Sequence, residues 1–479
     1  MRRAHTSSVL VAAALATGCV FFASKEDERR AGAQMAAQVK TEIGLYPAPA
    51  REWVADVGKR LVAHLRPEDQ RDWDFSFDIV DEPEPNAFAL PGGPIYVSRG
   101  LLALVVDEDD LAGVLGHEIS HVTERHSKRQ QERAVLPAIF TLPGRIIGVV
   151  SEDLGSVVAA PFDIMGRLGL ASYSRGQEAD ADELGAALAA RSGYDPRALA
   201  RILDRLEKDA TRLAGKEQKP SFFDDHPATD TRITDVDEQA SKIRWYKGAP
   251  FKDRASLVAK LDGVVWGPDP AQGVFEGQLF LHPDLRFSVR FPDGWRTANT
   301  ASAVGAFRDR EAEVVVGVAG SHTSPAAEGV KVSKALRRED LVPDDEERVV
   351  VHGNPGYFLH VTHRGLDVSI LWVAIRRLTY MAVGLGPTSD RPAIMASLYS
   401  MRDITDEERE AIEVIRMHPA EARAGETLVE LGDRTENAWT PAYTAMVNGI
   451  REDAILESGA VVKIARRERY VSAPSFGLR

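Results

Sequence analysis

Residues 111–126 have the sequence Leu111-Ala-Gly-Val-Leu-Gly-His117-Glu118-Ile-Ser-His121-Val-Thr-Glu-Arg-His126, and this stretch predicts the element on which the fold is built. Its apolar residues recur at intervals of three and four, which is the spacing of one buried face of a helix. Acidic residues fill positions 107–110, where negative charge is favourable because it meets the positive end of the helix dipole. The stretch therefore predicts a helix with one side packed against the core.

This helix carries a candidate metal site. His117 and His121 lie one turn apart on the same face, so both imidazoles can reach a single ion, and Glu118 borders that face. In the His-Glu-x-x-His pattern, two histidines hold Zn²⁺ and the carboxylate accepts a proton from the attacking water. The pattern can also arise by chance on a polar helix face, but the apolar stripe beside it favours the metal. We interpret it as a site for peptide hydrolysis that still needs a third protein ligand.

A second helical segment offers that ligand. The stretch Tyr173-Ser-Arg-Gly-Gln-Glu178-Ala-Asp-Ala-Asp182 places two carboxylates four residues apart on one helical face. One of them can bind the ion, and the other can accept a hydrogen bond from a ligand histidine. A Glu and Asp pair at this spacing is usually solvated surface, but its place downstream of the His-Glu-x-x-His motif favours a role at the metal.

Short motifs recur between residues 86 and 196. They are Asn86-Ala-Phe, Leu90-Pro-Gly-Gly, Arg99-Gly-Leu-Leu, Leu115-Gly-His-Glu-Ile-Ser-His-Val, Arg125-His-Ser, Tyr173-Ser-Arg, Glu178-x-x-x-Asp182 and Gly193-Tyr-Asp-Pro196. Together they resemble the M48 family of zinc metallopeptidases, which includes exported and membrane-bound bacterial proteases, and the resemblance covers about residues 26–240.

The resemblance implies a mainly helical domain of the gluzincin type that binds one Zn²⁺. It implies that His117, His121 and Glu178 are the metal ligands. It also implies that Glu118 is the catalytic base and that Asp182 is the hydrogen-bond partner of a ligand histidine.

The stretch Asp225-His226-Pro227, followed by Arg232, is similar to a His-Pro and Arg pair of exported family members. In some of these the histidine closes over the zinc as an inhibitory fourth ligand. Two interpretations of His226 follow: a gate over the metal, or a surface histidine that caps a turn. Arg232 is a candidate for steadying the substrate or the tetrahedral oxyanion.

A turn signal, Pro91-Gly-Gly-Pro94, separates two short apolar segments ahead of the metal helix and predicts a hairpin. One interpretation is that its edge strand pairs with an extended peptide, with Asn86, Ala87 and Phe88 as substrate-binding residues. The other is a purely structural hairpin.

The N-terminus predicts export. Residues 1–19 contain basic residues, a short apolar stretch and small residues before Cys19, as in a secretory signal peptide. The position of Cys19 resembles a bacterial lipobox, although Ala16 stands where such boxes usually prefer Leu. Lipidation of Cys19, simple cleavage and an uncleaved anchor are the alternatives. We expect a periplasmic protein, anchored to the outer membrane as a lipoprotein.

Composition limits the partners. The net charge of −13 argues against a nucleic-acid partner, which would need a basic face. The single cysteine excludes an internal disulfide.

The C-terminal half predicts two further units. Alternating apolar residues predict an antiparallel β-rich α+β domain at 276–405, for which we expect a docking or substrate-presenting role. The last segment, 406–479, is similar to a LysM module of β-α-α-β order, which would bind peptidoglycan; alternatively it only packs on the protease.

The sequence thus predicts an α+β multidomain protein. Its parts are a signal peptide at 1–19, an M48-like domain at 20–245, a linker at 246–275, a β-rich domain at 276–405 and a LysM-like domain at 406–479. The predicted function is a zinc-dependent endopeptidase in periplasmic protein quality control, acting on unfolded or misassembled envelope proteins. The alternative is a non-catalytic, chaperone-like protein that binds clients or cell wall.

Overall fold

The computed structural model describes residues 24–133, 172–213, 222–227, 231–248, 253–308, 312–338, 340–363 and 365–472. The predicted signal peptide, residues 1–19, and the predicted lipidation site Cys19 lie outside these ranges. Within them, no helix combines the length and the apolar character that crossing a membrane requires.

The first half of the protein is mainly helical, as predicted. Its helices are α1 (Lys25–Glu42), α2 (Ala50–Val62), α3 (Pro67–Asp72), α4 (Arg99–Leu104), α5 (Glu108–Thr123), α6 (His126–Arg133), α7 (Arg175–Arg191), α8 (Ala198–Leu213), α9 (Phe222–Asp225), α10 (Arg232–Ser241) and α11 (Arg254–Lys260). A small sheet contains β1 (Ser76–Val80), β2 (Ala87–Ala89) and β3 (Pro94–Ser98) in the order β1-β3-β2. Strand β3 is parallel to β1 and antiparallel to β2, so β2 and β3 form the predicted hairpin.

Helix α5 carries both motif histidines and lies at the centre of this half. Asp107 caps it by accepting a hydrogen bond of 2.9 Å from the backbone N–H of Asp110. Every residue from Glu108 to Val122 is buried, and not only the predicted face. The reason is that α2, α7 and α8 pack around the helix from several sides.

Two glycines bring α5 and α7 into backbone contact. A Cβ atom added at Gly116 would lie 2.9 Å from the carbonyl oxygen of Gly185. A Cβ atom added at Gly185 would lie 2.7 Å from the backbone nitrogen of His117. Only glycine allows this approach, and it places Glu178 of α7 beside the histidines of α5.

Antiparallel sheets follow, as predicted. Their elements are β4 (Val274–Glu276), β5 (Leu279–His282), β6 (Phe287–Arg290), β7 (Arg296–Asn299), β8 (Ala303–Arg308), β9 (Ala312–Ser321), α12 (Pro325–Arg338), β10 (Asp345–Val351), β11 (Asn354–His363), β12 (Leu366–Ile375), β13 (Leu378–Pro387), α13 (Arg391–Leu398) and β14 (Arg402–Asp403). The larger sheet has the order β10-β11-β12-β13-β9-β8-β7, and the smaller has the order β14-β6-β5-β4. Helix α12 packs on one face of the larger sheet, and separate apolar clusters line its two faces.

The C-terminal segment begins with a short helix, and the expected β-α-α-β order follows that helix. Its elements are α14 (Asp406–Ala411), β15 (Glu413–Glu421), α15 (Leu428–Thr435), α16 (Pro441–Asn448) and β16 (Val461–Arg469), and β15 is antiparallel to β16. Met417, Trp439 and Tyr443 of this segment belong to the same apolar cluster as Leu101 and Leu115 of the first half. The C-terminal segment therefore shares a core with the helical half, while its likeness to LysM stays a prediction.

Candidate metal centre

Four buried side chains converge beside α5. The ligand atoms of His117, His121, Glu178 and His226 all lie within 4.8 Å of one another. Nε2 of His117 is 2.9 Å from Nε2 of His121 and 3.2 Å from Nδ1 of His226. Oε1 of Glu178 lies 3.5 Å from Nε2 of His121 and 3.2 Å from Nδ1 of His226. Each of the four residues is at most 2% exposed. The structure thus brings together ligands from α5, α7 and the residue that follows α9.

These separations fit a tetrahedral zinc ion. Zinc binds nitrogen and oxygen at ~2.0–2.1 Å, which puts neighbouring ligand atoms ~3.3 Å apart in a tetrahedron. The separation is 2.9 Å between Nε2 of His117 and Nε2 of His121, and 3.7 Å between Nε2 of His117 and Oε2 of Glu178, so these two values lie on either side of the ideal one. Imidazoles with one carboxylate also form a zinc donor set, whereas calcium and magnesium prefer oxygen ligands. The residues present therefore fit zinc.

The charges at the centre favour a cation. Burial, reinforced by His117 and His226, lowers the pKa of His121 well below its ordinary value, so this ring stays neutral and can offer a lone pair. Burial opposes ionisation of Glu178, but His226 and His117 outweigh it and lower the pKa of Glu178. Burial also lowers the pKa of His226, but Glu118 and Glu178 raise it to about 9. The carboxylates of Glu118 and Glu178 thus favour positive charge at this point, which a bound metal ion would supply.

Asp182 and Arg232 support the ligands from behind. A carboxylate oxygen of Asp182 lies 2.9 Å from Nδ1 of His117, which leaves Nε2 of that ring facing the metal position. Arg232 donates two hydrogen bonds of 2.9 Å to Asp182 and lies 2.8 Å from Glu178. Burial opposes ionisation of Asp182, but hydrogen bonds from His117 and Arg232 lower its pKa to about 2. The guanidinium of Arg232 is thus engaged by two carboxylates, and its role toward substrate stays a prediction.

Glu118 and His226 face each other across the centre. Glu118 is fully buried, and its Oε1 lies 3.5 Å from Nε2 of His226. His226 is 1% exposed, so the interpretation as a surface histidine is wrong. Phe222 stacks on the His226 ring at a centroid distance of 4.4 Å, and the backbone N–H of Phe222 donates to the carbonyl of Pro85 at 3.3 Å. This contact ties α9 to the residue that precedes Asn86.

The residues predicted to bind substrate divide between the sheet edge and the core. Strand β2 is an outer strand of the small sheet, which leaves one of its edges outside the β2–β3 pairing. The ring of Phe88 stacks on Tyr96 at a centroid distance of 5.2 Å within an apolar cluster, and Ala87 is buried in the main core. The side-chain oxygen of Asn86 is buried and has no hydrogen-bond partner within the described ranges. The side chain of Phe88 is therefore structural, whereas the amide oxygen of Asn86 can still accept a hydrogen bond.

Tyr173 and His126 contact a ligand histidine, and Gln177 contacts His126. Tyr173 stacks on His121 with ring centroids 3.9 Å apart. Nδ1 of His126 lies 2.9 Å from Nδ1 of His121, and Gln177 donates a hydrogen bond of 2.9 Å to the carbonyl of His126. No spacing or motif in the sequence assigned a role to these three residues. Their nearness along the chain to the metal ligands is the signal that points to them.

Comparison with known proteins gives the same assignment. The model of Peptidase family M48 matches residues 48–240. The chain is 31% identical over 230 residues to the beta-barrel assembly-enhancing protease of Yersinia pestis, covering 47% of this chain and 46% of that protein. It is 30% identical over 197 residues to the protein of the same name from Escherichia coli (strain K12), covering 40% of this chain and 39% of that protein.

A mitochondrial protein is similar as well. The chain is 30% identical over 247 residues to the mitochondrial metalloendopeptidase OMA1 of Schizosaccharomyces pombe, covering 49% of this chain and 65% of that protein. The chain thus spans less than half the length of the bacterial relatives and 65% of this one. The family and the ligand set together confirm zinc as the predicted cofactor. Residues 48–240 therefore form a Peptidase family M48 domain within this chain, as predicted from its sequence.

Proposed function

We propose that this chain is a zinc-dependent endopeptidase. The observation that carries the proposal is the buried centre where Glu118 faces the same point as the ligands His117, His121 and Glu178. A protein that only held zinc would not need this additional buried carboxylate, whose burial is costly. Relatives named proteases and metalloendopeptidases, at 30–31% identity, support the same function.

The residues divide the chemistry among them. His117, His121 and Glu178 hold the ion, which when bound lowers the pKa of water and polarises the scissile carbonyl. Glu118 accepts the proton of the attacking water and then delivers it to the leaving amine. Asp182 holds His117 in the tautomer whose Nε2 faces the metal position.

His226 keeps the site latent in this proposal. A catalytic zinc site has three protein ligands and one open position for water, and His226 would fill that position. Helix α9, which precedes His226, is tied through Phe222 to Pro85 at the start of the edge-strand segment. A peptide that pairs with β2 would compete with this tie and withdraw His226 from the metal.

The proposed substrates are unfolded or misassembled proteins of the bacterial envelope. Support comes from the relatives named beta-barrel assembly-enhancing protease and from the signal-like residues 1–19. An extended segment can add through backbone hydrogen bonds to the edge of β2 that β3 does not pair, which suits an enzyme that accepts many sequences. A periplasmic location, quality control and an outer-membrane anchor through Cys19 belong to the same proposal.

Peptidoglycan binding by the C-terminal segment is part of this proposal too. Its β-α-α-β order supports a LysM-like module. The side chains of Val429 and Ile455 are 55% and 66% exposed on this segment, where apolar contact with a glycan is available. Pull-down on purified peptidoglycan, with V429S/I455S as the test variant, would detect a loss of binding.

Cleavage of β-casein, an unfolded protein, tests the enzymatic proposal. The arms are zinc-loaded wild type, Glu118→Gln and His226→Ala. We expect slow cleavage by wild type, faster cleavage by His226→Ala, and none by Glu118→Gln at equal zinc content. Cleavage by Glu118→Gln at the wild-type rate would refute Glu118 as the base. Bound zinc without cleavage in any arm would favour the non-catalytic, chaperone-like alternative.

A further inference from the structure

We propose that His126 is a positioning residue of the metal centre, which accepts a hydrogen bond from His121 and thereby fixes the tautomer that binds zinc. The proposal rests on the zinc site of the proposed function. His126 is fully buried, and its Nδ1 lies 2.9 Å from Nδ1 of His121. The two rings meet edge to face, with centroids 4.9 Å apart and an interplanar angle of 72°.

The direction of this hydrogen bond follows from the metal. A neutral imidazole carries one hydrogen, and zinc needs the lone pair on the nitrogen that faces it. In His121 that nitrogen is Nε2, which lies 2.9 Å from Nε2 of His117, so the hydrogen of His121 is on Nδ1. Nδ1 of His126 must then accept, and the hydrogen of His126 is on Nε2.

The other ring nitrogen gives a second reason. Nε2 of His126 is buried and has no hydrogen-bond partner in the part of the chain that the structure describes. A buried N–H without a partner is unfavourable. Packing alone does not explain a histidine here, because an apolar side chain would fill the space without that cost. Acceptance of a hydrogen bond at Nδ1 does explain it.

The backbone holds His126 in place for this task. Arg125, in the left-handed conformation with φ 55°, ends the preceding turn and directs His126 back toward α5. Arg125 also donates a hydrogen bond of 2.6 Å to Glu28 of α1. The carbonyl of His126 accepts a hydrogen bond of 2.9 Å from Gln177, the residue before the ligand Glu178. His126 therefore connects the ligands of α5 with the ligand of α7.

Zinc affinity tests the proposal without any need for proteolysis. Wild type, His126→Leu and His126→Asn are titrated against a chromophoric chelator, and the melting temperatures of the metal-free forms in EDTA are compared. Leu removes the acceptor, so we expect the zinc affinity to fall ~10–100-fold. Asn restores an acceptor where Nδ1 lies, because its Oδ1 is bonded to Cγ in the same way. We therefore expect His126→Asn to bind zinc nearly as tightly as wild type and to avoid most of the ~10–100-fold loss, because the acceptor is restored.

Equal affinity of His126→Leu and wild type would overturn the proposal, as would equally weak binding by Leu and Asn variants. NMR of zinc-loaded wild type labelled with ¹⁵N histidine keeps the proposal testable if the Leu variant does not fold. It should show hydrogen on Nδ1 of His121 and on Nε2 of His126; hydrogen on Nδ1 of His126 would refute the proposal. Absence of zinc binding by wild type would instead refute the proposed function.

Discussion

Nζ of Lys463, on β16, donates a hydrogen bond of 2.6 Å to the backbone carbonyl of Ala103, on α4. A second hydrogen bond of 2.8 Å reaches the carbonyl of Val105. These carbonyls end the helix that precedes the metal helix, and a lysine at a helix C-terminus satisfies groups that have no partner within the helix. Lys463 is 2% exposed, and burial lowers its pKa well below the ordinary value for lysine. The C-terminal segment thus supports the M48 domain through a buried polar contact.

Replacing Lys463 with Met should destabilise the protein. The change leaves the carbonyls of Ala103 and Val105 buried without their partner, at a cost of about 1–3 kcal/mol. Urea unfolding followed by circular dichroism measures this difference. Lys334→Met, at an exposed position on α12, is the control and should be nearly neutral. An unchanged unfolding midpoint for Lys463→Met would mean that the C-terminal segment does not stabilise the M48 domain by this contact.

Replacing Gly185 with Ala should separate α5 from α7. The added Cβ would lie 2.7 Å from the backbone nitrogen of His117, which is closer than atoms of packed helices approach. Movement of α7 would draw Glu178 away from the histidines, so both the melting temperature and the zinc affinity should fall. Overpacking of this kind costs about 1–3 kcal/mol. Gly176→Ala, also on α7, is the matched control because nothing lies within 4 Å of its added Cβ. A loss as large at position 176 would contradict the explanation.

Replacing Asp182 with Asn should weaken zinc binding. The neutral amide lacks the negative charge of the carboxylate that lies beside His117 and Arg232. Loss of such a partner lowers metal affinity ~10–100-fold. Competition with a chromophoric chelator measures the change. Asp180→Asn, at an exposed position on α7, is the control and should bind zinc as wild type does. Wild-type affinity for Asp182→Asn would exclude Asp182 as the partner that orients His117.

The stability of the protein should depend on pH through Glu313 on β9. Burial raises the pKa of Glu313 from 4.5 to about 7. The folded protein therefore binds more protons than the unfolded chain between these values. The stability from this group is fully present below pH 4.5 and is lost as the pH rises to about 7. Glu313→Gln should remove this part of the pH dependence, which amounts to about 3 kcal/mol.

Urea unfolding of wild type and Glu313→Gln at pH 5 and pH 8 measures this effect. Wild type should lose stability relative to the Gln variant as the pH rises. Glu276→Gln, at an exposed position on β4, should follow wild type at both pH values. A constant difference between wild type and Glu313→Gln would contradict the raised pKa.

Local patterns in the sequence determined much of the metal centre. The spacing of His117 and His121, and that of Glu178 and Asp182, places each pair on one helical face whatever surrounds the helix. The Pro-Gly-Gly-Pro turn and the alternating residues of the second half likewise predicted the hairpin and the antiparallel strands. These features depend on residues within a few positions of one another, so they can be recognised in a single chain.

Tertiary packing alone decided the rest. The contact between Gly116 and Gly185, which brings the third ligand to the first two, joins residues far apart in sequence. The burial of α5 on all sides likewise depends on helices whose packing no local period specifies. The position of His126 against His121 needs a left-handed residue between them, and the support from Lys463 crosses almost the whole chain. Spacing along a helix sets which side chains share a face, but only close packing determines what that face meets.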